Sequence, residues 1–140
     1  MNSTGKESRH VNIHIASPVE EVYSYASDPA NLPEWALGLG GSIENVDGQW
    51  VAESSSMGRV VVTFSPENDL GVLDHDVTLP SGETVHNPVR VIADGAGSDV
   101  VFTLRRRPGM SDSDFRRDAD MVAADLARLK ALTEPGQGPR

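Results

Sequence analysis

The sequence predicts an α+β domain in which helices cover one face of an antiparallel sheet. Apolar and polar residues alternate through Val11, Ile13 and Ile15, as in a strand with one buried side. Short strand-like runs separated by turn residues then fill residues 42–106. After Pro108-Gly109 the apolar spacing lengthens to that of a helix, through Phe115, Ala119, Val122, Leu126, Leu129 and Leu132.

The 140 residues suffice for one core and are too few for two. Twelve Lys and Arg against 21 Asp and Glu leave a formal charge of −9, which repels nucleic acid and anionic membrane surfaces alike. With 38% apolar residues the chain can bury a core. No stretch approaches the roughly 18 consecutive apolar residues of a membrane span. Residues 1–9 are polar and contain no apolar segment, so no secretory signal is expected and a cytoplasmic location is. The absence of cysteine rules out disulfides, thiolate metal sites and a cysteine nucleophile.

The first strand ends at Ala16. Ser17 is the expected N-cap of a helix, with Pro18 at the first helical position and Glu20 completing a capping box. Val19, Val22, Tyr23 and Ala26 share one helix face, and Asp28-Pro29 stops the helix because the residue before proline avoids the helical region. Residues 29–37 read as a second short helix carrying Trp35, ended by the glycines at 38, 40 and 41. Asp47-Gly48 is a hairpin turn between residues 42–46 and 49–56. Breaks at Met57-Gly58, residues 66–69, Pro80-Ser81-Gly82 and residues 94–98 leave further strands at 59–65, 71–79, 83–93 and 99–106, seven in all. Ser111 caps the last helix, Asp112 and Asp114 favour its start, and Arg128 and Lys130 its end. About 22 residues at 1.5 Å make it roughly 33 Å long. A single domain over residues 10–134 is expected, with flexible ends at 1–9 and 135–140.

This order of elements, the start Ser17-Pro18-Val19-Glu20-Glu21-Val22-Tyr23, the turn Asp28-Pro29-Ala30-Asn31-Leu32-Pro33-Glu34-Trp35 and the close at Phe102-Thr103-Leu104 resemble the START-related helix-grip superfamily, SRPBCC. That superfamily includes birch-pollen-allergen-like proteins, polyketide cyclases/dehydrases and lipid-transfer domains. The resemblance implies a helix-grip fold: a curved seven-stranded antiparallel sheet wrapped around the long C-terminal helix, two short helices between strands one and two, and a cavity for a hydrophobic or amphipathic small molecule. It implies no particular chemistry, because the superfamily has no shared catalytic motif. Seven aromatic residues are few to fill such an interior, and Ser54-Ser55-Ser56 adds hydroxyls in mid-strand.

The densest polar cluster is Asp74-His75-Asp76 with His86, Asn87 and Arg90. A three-residue loop at 80–82 with Gly82 left-handed places Leu79 opposite Glu83, Val77 opposite Val85, His75 opposite Asn87 and Leu73 opposite Val89. His75 and Asn87 then look inward, and Asp76 faces His86 on the outside. A two-residue loop would instead put His75 and His86 on one face. His75 is either a general acid/base or ligand anchor, or a core histidine satisfied by Asn87. Asp76 with His86 reads as a solvated pair. No converging metal-ligand set is expected. Arg105-Arg106-Arg107 either pairs with Asp112, Asp114 or Asp118, or holds an anion.

The expected ligand-contacting set is Tyr25, Trp35, Trp50, His75, Asn87, Val89, Phe102, Phe115 and Met121, with His75 as the one catalytic candidate. Each tryptophan could instead staple the small helix to the sheet, and Met121 could simply pack. Gly38-Leu39-Gly40-Gly41 does not join a strand to a helix, so it is no dinucleotide fingerprint, and no motif demands a cofactor. Small-molecule binding in the cavity is the leading expectation. The alternatives are a cyclase/dehydrase-like enzyme, in which His75 abstracts a proton while Asn87 or Tyr25 steadies the enolate, and a chaperone-regulator-like interaction module. The sequence leaves a homodimer open.

Overall fold

The computed structural model describes residues 7–135. Of the flexible ends expected at 1–9 and 135–140, residues 1–6 and 136–140 lie outside the described residues, whereas Ser8 and Arg9 belong to β1, paired with β8. The elements are β1 (Ser8–Ile15), α1 (Val19–Ala26), α2 (Leu32–Trp35), β2 (Ile43–Val46), β3 (Gln49–Ser54), β4 (Gly58–Phe64), β5 (His75–Thr78), β6 (Thr84–Asn87), β7 (Val89–Asp94), β8 (Gly97–Arg105) and α3 (Asp112–Thr133). Single 3-10 turns at Pro29–Asn31 and Leu37–Leu39 flank α2. Among the described residues no helix is long and apolar enough to cross a membrane.

Every ladder is antiparallel, but eight strands replace the expected seven, in a three-stranded sheet β1-β8-β7 and a five-stranded sheet β2-β3-β4-β5-β6. The extra strand arises at Pro88, which has no N–H to give the ladder and divides the expected run at 83–93. The two parts keep one register across this break. His75 faces Asn87 on one side, and the bridge from Val72 to Arg90 continues the same pairing on the other. Leu73 N–H donates to the Val89 carbonyl and Val91 N–H to that of Gly71, both at 2.8 Å. At the break, Asp74 supplies the missing link: its carboxylate accepts from Val89 N–H at 2.8 Å and from two nitrogens of Arg90 at 2.9 and 2.8 Å. The Pro88 carbonyl turns to β8, where Thr103 N–H donates to it at 2.9 Å.

Turn chemistry sets the pairings. Asp47 and Gly48 have φ of 53° and 87°, the geometry that the β2–β3 hairpin needs. Gly82 has φ of 95°, and Leu79 N–H donates to Glu83 at 2.8 Å, so the loop at 80–82 holds three residues. The start of α1 differs from expectation. Pro18 occupies the cap and its carbonyl accepts from Glu21 and Val22, whereas the Ser17 side chain caps nothing. Ser17 is buried beneath Ser98, whose hydroxyl donates to the Ser17 carbonyl at 2.7 Å. Glu20 and Glu21 still favour the positive end of the helix.

The core joins Ile15, Val22, Leu32, Trp35, Val60, Val62, Val89, Val100, Leu126 and Leu129 between the sheets and the helices. Ser111 caps α3 by accepting from Asp114 N–H at 3.1 Å, as its sequence predicts. Arg106 pairs with Asp112 at 2.6 Å and Glu7 at 3.1 Å. At the other end Lys130 donates to the His14 carbonyl at 3.1 Å and pairs with Glu134, which accepts from Ala16 N–H at 2.7 Å. Leu132 departs from the expected apolar stripe and is 47% exposed, because the packed side of the last turn passes through Leu129 and Thr133.

Gly71 has φ of 77°, and a Cβ there would overlap the Val91 carbonyl oxygen. Gly71→Ala should therefore cost about 3 kcal/mol or more, from left-handed strain plus displacement of β7. Urea denaturation measures this, and a loss below about 1 kcal/mol would show that β7 yields freely.

Candidate functional site

The ladders place a defined row of side chains on the inner face, the side on which the core packs. Phe64 faces His75, which faces Asn87. Trp50 faces Val62, which faces Val77, which faces Val85. Val89 and Val11 both face Phe102. Because side chains alternate along a strand, Asp74, Asp76, His86 and Arg90 fall on the outer face. There His86 meets Asp76 at 2.6 Å and Arg90 meets Asp74.

α3 covers this face unevenly. It lies along β1 and touches β8, α1 and α2, and among the described residues it makes no comparable approach to β3, β4, β5 or β6. On the inner face Trp50, Phe64, Val85, Asn87 and Phe102 remain half-buried, whereas Val60, Val62 and Val77 are sealed. His75 is buried at 8% exposure. Its ring stacks on Phe64 with centroids 5.1 Å apart and meets Phe102 edge-on at 6.3 Å.

The hydrogen bonding of His75 fixes its chemistry. Nδ1 lies 3.0 Å from the Leu73 carbonyl oxygen, which can only accept, so Nδ1 carries the proton. Nε2 then presents a lone pair that no hydrogen bond among the described residues uses. Burial pushes the His75 pKa down, opposed by the Leu73 hydrogen bond and by the charges of Asp74 and Asp76. The ring is thus neutral near pH 7. Asp74 is held below the usual carboxylate range, first by its hydrogen bond from Arg90 and, against the pull of burial, also by the Val89 N–H.

The nine expected ligand-contacting residues fall into three groups. His75, Asn87, Val89 and Phe102 are contiguous on the inner face, with Trp50 on the same face nearer β2. Phe115 sits in a satellite core with Leu104 and Ala119, packed by Val11, Phe102 and Met110, and the guanidinium groups of Arg9 and Arg106 lie 5.6 and 5.7 Å from its ring. Trp35, Tyr25 and Met121 cluster about α2 instead. Trp35 is 5% exposed, and its indole N–H has no partner among the described residues. The Tyr25 hydroxyl donates to Glu34, and burial together with that carboxylate raises its pKa. Met121 is 42% exposed and lies beside Gly38, where an added Cβ would sit 3.1 Å from its Cε.

One inner group escapes the sequence reading. Phe64 stacks on His75, yet the long connection from β4 to β5 hides that pairing, and only the row through Val62 and Val77 reveals it. An open cleft of about 330 Å³ between α1 and the connection after β4 is lined by Tyr23, Ser24, Ser27, Asp28, Ser65 and Glu67, and by no residue of the inner-face row.

Residues 7–134 match the family model described as polyketide cyclase / dehydrase and lipid transport. A START superfamily protein from Mycobacterium smegmatis is similar in structure, with 13% identity and a TM-score of 0.67 over 90% of this chain and 96% of that one. Ara h 8.0201 is similar at 13% identity and a TM-score of 0.67, over 92% of this chain and 98% of its own. Truncated norcoclaurine synthase from Thalictrum flavum is similar at 13% identity and a TM-score of 0.63, over 98% and 100% of the two chains. Likeness at this identity establishes the fold alone. No curated protein matches the chain.

A histidine whose pKa falls on folding binds protons more readily in the unfolded chain. Its contribution to stability is whole above the unfolded value of about 6.5 and is lost as pH falls through the window down to the lowered native value. Stability should drop between pH 7.5 and 5.5 by up to about 1.4 kcal/mol per pH unit from this group, and His75→Gln should flatten that slope. Urea midpoints at the two pH values measure it; equal slopes would show that the ring is not held neutral.

Proposed function

The chain belongs to the polyketide cyclase / dehydrase and lipid transport family, and on that premise we propose that it binds a hydrophobic or amphipathic small molecule between the inner face of the sheet and α3. One observation carries this reading. A buried, neutral His75 has an unused Nε2, and its aromatic and amide neighbours on the inner face, Phe64, Phe102 and Asn87, stay half-exposed. Apolar walls supply affinity, and a few unspent polar groups fix the orientation of the ligand. Trp50, Val89 and Phe102 would form walls, and His75 with Asn87 would form the polar end. Phe115, Met121, Trp35 and Tyr25 would act at the margin, where the structure holds them in other contacts.

A second reading rests on the tautomer. With its proton on Nδ1, His75 is arranged to take a proton at Nε2 from carbon alpha to a ligand carbonyl, while Nδ1–H continues to donate to Leu73. The developing enolate oxygen would accept from the Asn87 amide, since the Tyr25 hydroxyl is committed to Glu34.

Native mass spectrometry of freshly purified protein should show a co-purifying molecule, and members of a lipophilic panel should raise the melting temperature. A bare chain whose melting temperature no panel member raises would remove the binding reading. For the second reading, a bound enolisable carbonyl compound should exchange its alpha proton in D2O, and His75→Ala should slow the exchange by about 10²-fold or more. Exchange at the wild-type rate in that variant would remove the catalytic reading.

A further inference from the structure

A second cluster of ionisable side chains stands at the end of β1, away from the inner-face row. His14 in β1 lies directly opposite Asp99 in β8, and Asp94 ends β7 where the β7–β8 hairpin turns. We propose that His14, Asp94 and Asp99 form a binding site for a divalent transition-metal cation of the zinc type.

The spacing of the donor atoms carries the argument. One ligand atom from each residue lies within 4.8 Å of the other two. His14 Nδ1 is 2.9 Å from Asp99 Oδ1 and 3.5 Å from Asp94 Oδ2. Atoms bound to one ion at about 2.0–2.1 Å stand roughly 2.9 Å apart at right angles and 3.4 Å apart at tetrahedral angles. The two edges from His14 Nδ1 therefore already have the lengths of a coordination shell, and the third, between the carboxylates, spans no more than 4.8 Å. The ion takes the place of a proton on Nδ1 between two carboxylates.

The frame around these atoms is firm. His14 and Asp99 are fixed by a ladder rather than by a loop. The imidazole packs against Gly97, where a Cβ would lie 2.9 Å from both Cε1 and Nε2, so the ring occupies space that only glycine leaves open. The neighbouring cation, Lys130, is already spent on the His14 carbonyl and on Glu134. The cluster thus keeps two carboxylates against one imidazole. A nitrogen ligand among carboxylates favours zinc-like ions over calcium or magnesium, which prefer oxygen alone. The three side chains are 51%, 63% and 39% exposed, so water completes the shell. The superficially similar pair His86 and Asp76 lacks a third ligand, because its neighbour Asp74 is occupied by Arg90 and Val89.

Calorimetric titration of the tag-free full chain with zinc chloride should give one ion per chain. Cobalt(II) should give a visible spectrum that zinc abolishes, and zinc should raise the melting temperature. Asp94→Asn and His14→Gln should each weaken zinc binding by about tenfold or more, with melting temperatures in the absence of zinc showing that both remain folded. His86→Gln should bind as the wild type does. No saturable binding up to millimolar zinc, unchanged affinity in folded Asp94→Asn and His14→Gln, or loss of binding in His86→Gln would each overturn the site.

Discussion

The orientation of every group on the inner face depends on one register, in which residues 71–79 pair with residues 83–91. Side chains alternate, so a slip of one residue would put His75 and His86 on one face, sending either His86 and Arg90 or Asp74 and Asp76 inward. Burying those unpaired charges costs several kcal/mol, whereas the observed register keeps them in water-facing pairs. Two devices hold it. Gly82 closes the arm at its tip, and the Asp74 carboxylate spans the gap left by the proline nitrogen at 88. The second device explains how a proline can sit where two sheets join without shifting the strand beyond it.

What the sequence made legible follows the reach of each signal. The loop at 80–82, the Asp47-Gly48 turn, the cap at Ser111 and the length of α3 are all written in residues a few positions apart, and they stand in the structure as read. The inward turn of His75 followed from the same local parity. Its partner did not: Nδ1 goes to the Leu73 carbonyl rather than to Asn87, because a backbone oxygen two residues back lies within reach whatever the opposing strand offers. The missed start of α1 has a similar origin. A capping box assumes that the serine hydroxyl is free to fold back, and Ser17 is enclosed under β8 by Ser98. Phe64 beside His75, and His14 beside Asp94 and Asp99, depend on distant strands meeting, which no local spacing reports.

α3 is supported asymmetrically. Charged and hydrogen-bonded contacts fasten its two ends, Arg106 with Asp112 at one and Lys130 and Glu134 with the backbone of His14 and Ala16 at the other, while apolar packing holds one flank to β1 and β8. The inner residues are of two kinds. Ile15, Val60, Val62, Val77, Val100 and Leu129 are sealed in the core, whereas Trp50, Phe64, Val85 and Asn87 on the β3–β6 side keep partial access to solvent. A neutral imidazole lies at the boundary between these zones, where burial is deep enough to suppress its charge and the neighbouring surface remains reachable.

The two tryptophans fall on opposite sides of this boundary, Trp35 sealed at 5% exposure and Trp50 half-open on β3. Indole emission shifts to longer wavelength in polar surroundings, so the protein carries two optical reporters of different colour. The blue component registers the integrity of the helical packing. The red component registers whatever comes to lie against the open half of the sheet.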